Sequence, residues 1–111
     1  MHIHVRKAVD FTPSLGTYID TKLSALAKFI KPFDENDTAE ISLEIVRTTK
    51  RHRKGDVFLV AADLKLPRRI LRAEAYAEDV RTAIDQAKDM LRLEIKKYKT
   101  KREESRRAPR K

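Results

Sequence analysis

Residues 73–102, AEAYAEDVRTAIDQAKDMLRLEIKKYKTKR, dictate what the rest of the chain must supply. Val80, Ile84, Ala87, Leu91, Ile95 and Tyr98 recur at steps of three or four. That spacing puts them on one stripe of a long helix. Asp79 stands just before the stripe, where its carboxylate can cap free N–H groups of the first turn. Such a helix needs a partner layer to cover its apolar face. At about 100° per residue, Arg81, Lys88, Arg92, Lys96 and Lys99 fall on a second stripe, roughly a quarter turn from the first. One face can dock on a core while its neighbour shows cations to a polyanion. A merely solvated charged face is the plainer alternative. The tail argues against it, because KTKREESRRAPRK continues the positive charge. From residue 79 to the end there are twelve Lys and Arg against six Asp and Glu, +6 of a formal +9.

The sequence pI near 10.0 calls for an anionic partner: RNA, DNA or an anionic membrane surface. A chain of 111 residues is one domain with a modest core. The absence of cysteine removes disulfides and thiolate chemistry, and fits a reducing cytoplasm. No apolar run approaches the roughly 20 residues needed to span a bilayer, and no signal-peptide segment follows Met1. Two glycines and four prolines leave few breakers, so long elements and few loops are expected.

Residues 1–7 alternate, with Ile3 and Val5 against His2, His4 and Arg6, as in a half-buried strand. Thr12-Pro13 marks a helix start. Leu15, Ile19, Leu23, Leu26 and Ile30 then carry an apolar stripe to about Lys31, before Pro32 and the DEND run end it. Lys22, Lys28 and Lys31 are the cations of this helix and do not share one stripe. Residues 38–49 and 57–66 alternate as two strands of a hairpin. Five Lys and Arg with no acid lie between residues 47 and 54, including Lys50, Arg51 and Arg53. Charge at a hairpin tip can merely discourage edge pairing; this excess points to phosphate contact. After Pro67, residues 69–77 alternate again, and the small inner residues Ala73 and Ala75 predict a closely packed helix. After about Arg102 no apolar period remains, so residues 103–111 are expected to be a basic tail, disordered until bound. The order is β-α-β-β-β-α. It predicts an α+β, four-stranded mixed sheet, with the first βαβ pair parallel and both helices on one face, like a double-stranded-RNA-binding domain.

Catalytic patterns are missing. Two glycines cannot build a phosphate loop, and there is no nucleophile elbow. His2 and His4 share a strand face but have no third ligand nearby in sequence, so no metal or cofactor is expected. Asp85 and Asp89 lie one turn apart and read as surface partners of Lys88 and Arg92 rather than an acid–base pair. The reading is a binding protein, not an enzyme.

Three segments carry a family resemblance: TPSLGTYIDTKLSALAKF, ISLEIVRTTKRHRKGDVFLVAADL, and LRAEAYAEDVRTAIDQAKDML followed by KKYKTKR. Over residues 1–102 the chain resembles the ribosome hibernation promoting factors, also called ribosome-associated inhibitors or sigma-factor modulation proteins. The resemblance implies the same β-α-β-β-β-α fold. It implies binding to 16S rRNA in the small-subunit channel between head and body, where the domain would block messenger and tRNA sites and preserve idle ribosomes under stress. It implies the short form of the family, which acts on intact ribosomes either by promoting ribosome dimers with help from a separate ribosome-dimerising factor or by holding single ribosomes inactive, and with no membrane or small-molecule substrate.

The resemblance carries RNA contact onto Lys22, Lys28, Lys97, Lys99 and Lys101. Lys88, Arg92 and Lys96 rest on the second stripe, and Lys31, Lys50, Arg51, Arg53 and Arg102 complete the expected cations. Two departures stand out. The family's Asp-Met-Tyr is here Asp79-Val80-Arg81, and its Lys-Leu-Glu-Arg-Gln run is here Met90-Leu91-Arg92-Leu93-Glu94. A general duplex-RNA binder and a protein-interaction module are the rival classes.

Overall fold

The computed structural model of the chain describes residues 1–7, 12–34, 36–48 and 57–107. The order is β1 (His2–Lys7), α1 (Pro13–Ser24), α2 (Ala27–Ile30), a 3-10 turn (Lys31–Phe33), β2 (Glu40–Thr48), β3 (Val57–Leu66), β4 (Arg69–Ala77) and α3 (Val80–Arg107). The sheet order is β1-β2-β3-β4. β1 runs parallel to β2, and the other two pairings are antiparallel. This is the expected α+β fold with a four-stranded mixed sheet.

Alternation decides which side of the sheet is covered. Ile41, Leu43 and Ile45 stand opposite Leu64, Ala62 and Val60, which in turn stand opposite Leu71, Ala73 and Ala75. All are buried. Leu15, Ile19, Leu23, Leu26 and Ile30 from the first helical segment, and Ile84, Ala87, Leu91 and Ile95 from α3, close the same core. Complete burial of one such side chain contributes about 1.5–3 kcal/mol. α3 packs over β4 and β3. The alanines at 73 and 75 let its backbone come close, as the small residues predicted.

Capping follows the sequence. Thr12 Oγ1 accepts from the Leu15 N–H at 3.1 Å, and Asp79 Oδ2 accepts from the Thr82 N–H at 3.0 Å. The first helix differs from expectation, because its single stripe belongs to two helices. The N–H groups of Leu26 and Phe29 donate to the carbonyls three residues earlier, of Leu23 and Leu26. Each 3-10 step turns the chain by about 120° instead of about 100°, so α2 is rotated relative to α1. Pro32 sits inside the 3-10 turn. Asp34 then ends the segment by accepting the N–H groups of Thr38 and Ala39 at 2.7 and 2.8 Å.

α3 also differs. It continues to Arg107, beyond the Arg102 boundary expected from the apolar period. Glu, Lys and Arg are good helix formers, and no breaker occurs before Pro109. A helix of this length needs hydrophobic cover along only part of its run. The remaining tail, 108–111, and the hairpin tip, 49–56, lie outside the described residues.

Candidate nucleic-acid interface

α1, α2 and α3 lie side by side with the same chain direction, and a seam runs between them. Three rings of the first helical segment each carry a guanidinium from α3. Arg81 lies 4.7 Å from the Tyr18 ring centre, Arg92 5.2 Å from Phe29, and Arg102 5.0 Å from Phe33. From their own segment, Lys22 and Lys28 approach the Tyr18 and Phe29 rings at 5.4 and 5.2 Å. A cation over an aromatic face gains about 0.5–1 kcal/mol at an exposed site. Unlike a carboxylate, the ring holds the cation without cancelling its charge. The seam therefore fixes Lys28, Arg81, Arg92 and Arg102 on rings with no acid paired to them among the described residues.

The upper end of the seam is tied most firmly. Tyr18 donates its hydroxyl to Asp85 at 2.6 Å, and Lys22 Nζ is 3.5 Å from the same carboxylate. Arg81 donates to Ser14 Oγ at 2.9 Å. The hydrogen bond to Asp85, with burial and the carboxylate's charge, raises the Tyr18 hydroxyl above the ordinary tyrosine range, and Arg81 partly opposes the shift. Asp85 thus pairs across the seam, rather than with Lys88 along its own helix. Asp89 does take Lys88, at 3.5 Å.

The expected RNA contacts fall into distinct places. Lys22, Lys28, Arg92 and Arg102 border the seam. Lys88 is half-buried beside them. Lys96, Lys97 and Lys101 share the outer surface of α3 with the exposed Leu93, and Lys97 pairs with Glu94 at 3.3 Å. Lys99 is exposed. Lys31 lies with Lys28 in a hollow shared with Met1, Asp34 and Asp37. Among the described residues, no acid pairs with Lys28, Lys31, Arg92, Lys96, Lys99, Lys101 or Arg102. Lys50, Arg51 and Arg53 lie outside the described residues; Arg47, at the base of that hairpin, lies 5.5 Å from the Phe58 ring centre.

Arg81, which is not among the expected RNA contacts, is a further cation that the structure places on the seam. It lies on the second stripe, but only the packing of α1 against α3 puts Tyr18 beneath it. The opposite face of the sheet mixes signs. Arg72 forks onto Asp63 with two contacts of 2.8 Å and reaches Glu74 at 3.2 Å. His2 Nε2 lies 2.9 Å from the Asp37 carbonyl and His4 Nε2 lies 3.6 Å from Glu40.

The fold and the seam define a small basic α+β domain whose helix layer carries ring-anchored cations. The family described as Sigma 54 modulation protein / S30EA ribosomal protein matches residues 2–103, and the chain belongs to it. A ribosome hibernation promotion factor of Deinococcus radiodurans is 32% identical over 95 residues, covering 84% of this chain and 46% of that protein. One from Bacillus subtilis is 28% identical over 102 residues, covering 91% of this chain and 50% of that protein. The chain therefore spans about half the length of these relatives. Among solved structures, a ribosomal subunit interface protein from Coxiella burnetii superposes with a TM-score of 0.65 at 26% identity, covering 90% of this chain and 99% of the other. The N-terminal domain of Thermus thermophilus Protein Y shares the fold, with a TM-score of 0.69 at 21% identity, covering 88% of this chain and 99% of that one.

Proposed function

We propose that this chain is a ribosome hibernation factor whose helix layer binds 16S rRNA in the small-subunit channel between head and body. There it occupies messenger and tRNA positions, so translation stops by occupancy rather than by chemistry. The observation that carries the reading is the seam, where Arg81, Arg92 and Arg102 are fixed on rings and keep their charge. Family membership and the names of the relatives supply the ribosome as the polyanion. Phosphate contacts then provide most of the affinity, and the shape of the folded RNA sets the position. The compartment is the cytoplasm, where the ribosomes are.

Sedimentation with purified ribosomes through sucrose gradients, at low and moderate salt, tests this. The expected outcome is co-migration with the small subunit and intact ribosomes, lost as salt rises. If free duplex RNA competes as well as ribosomes do, the protein is a general duplex-RNA binder instead. Retention on ribosomes in high salt points to a protein contact.

A further inference from the structure

We propose that the cleft at the far end of the helix layer binds a single unstacked nucleotide, with its phosphate on Arg68 and Arg102 and its base against Tyr98. The cleft has a volume of about 410 Å³, within the roughly 300–1,000 Å³ of small-ligand sites. It forms where the 3-10 turn, the β3–β4 turn and the C-terminal part of α3 meet. Phe33 and Tyr98 meet edge to face, with ring centres 5.0 Å apart and planes at 72°. Phe33 is buried and Tyr98 half-buried, so the first is floor and the second a wall that a ligand can touch.

The polar groups around these rings are unspent. Among the described residues, no acid pairs with Arg68 or Arg102, and the Tyr98 hydroxyl has no hydrogen-bond partner. Asn36 and Thr38 add an amide and a hydroxyl to the rim. Guanidiniums alone suit any anion, and rings alone suit any apolar group. Guanidiniums, an open ring and an amide together match a phosphate joined to a flat base with hydrogen-bonding edges. Unstacked bases are held in this way, on aromatic or guanidinium planes with polar groups at their edges. The nucleotide can come from two sources, an RNA strand or the free mononucleotide pool.

The test is an NMR titration of the full chain with inorganic phosphate, the four nucleoside monophosphates, a single-stranded RNA tetranucleotide and an RNA duplex. Saturable shifts at residues 36, 38, 68 and 98 with a mononucleotide are expected if the source is free nucleotide. The same shifts with the tetranucleotide alone assign a nucleotide within a strand. In either case Arg68→Ala and Tyr98→Leu should each weaken binding at least about tenfold. Tyr98 touches the core, so if Tyr98→Leu unfolds the chain, Arg68→Ala in the exposed turn decides the matter. Equal response to phosphate and nucleotides, saturation by duplex alone, no shifts at the cleft, or unchanged affinity in Arg68→Ala overturns the proposal. No ribosome is present in the assay, so its outcome is independent of the ribosome reading.

Discussion

Tyr18 joins the two helical segments through a single hydroxyl. Its hydrogen bond to Asp85 is one to a charged acceptor, but the group is only part-buried. Tyr18→Phe should therefore cost about 1 kcal/mol, read as a lower urea midpoint at unchanged slope. The raised ionisation of this hydroxyl has a definite sign. The folded state holds the proton more tightly than the unfolded state. The stabilisation is thus complete below the ordinary tyrosine pKa of about 10 and is lost as pH rises through the higher folded value. Ultraviolet titration should show Tyr18 ionising later in the folded wild type than a tyrosine in the urea-unfolded chain. Ile84 behaves differently, because it is 1% exposed at the middle of the core. Ile84→Asp places a carboxylate there, at a cost comparable with the roughly 5–15 kcal/mol of a domain's whole stability. Circular dichroism should show an unfolded chain. Ile84 could be assigned to the core from its spacing alone, while the bond of Tyr18 could not be foreseen, since its partner is 67 residues away.

At the scale of the element, α3 has two jobs on neighbouring faces. Lys88, Arg92 and Lys96 all lie off the apolar stripe. Changing all three to Glu should weaken ribosome binding strongly in co-sedimentation. It should leave the fold intact, with a loss of about 0.5–1 kcal/mol from the Arg92–Phe29 contact seen as a small fall in melting temperature. If the triple variant binds normally, these positions form only a solvated face. The C-terminal extension makes a separate prediction. Deleting residues 103–111 removes two acids and four bases and no apolar period, and should reduce ribosome affinity without lowering stability. Unchanged affinity would show that the tail takes no part. The cation stripe of α3 was legible because one long helix keeps its phase. Lys22 and Lys28 were not legible as neighbours, because on one straight helix they stand about 120° apart. The tightened turn between α1 and α2 reduces that angle, and both reach rings along the seam.

For the whole molecule, the decisive quantity is the salt dependence of binding. With six to ten phosphate contacts, affinity should fall roughly 10³–10⁵-fold between 50 and 200 mM salt. A flat response in filter or gradient assays would mean that charge does not hold the complex. The formal +9 predicts the sign of this effect but not where it acts. The order of the four strands and of the two helical regions, the inner face of every strand, both described caps and the core stripe were legible in the sequence, because periodicity and capping are local and survive without knowledge of neighbours; the break between α1 and α2 was not. The sequence also indicated a polyanion partner, because charge is additive along the chain. The seam, the pairing of Asp85 with α1 and the meeting of Arg68, Tyr98 and Arg102 at one cleft were decided only by tertiary structure. Each depends on the angle at which one element crosses another, and that angle is set by the summed packing of the core rather than by any stretch of sequence.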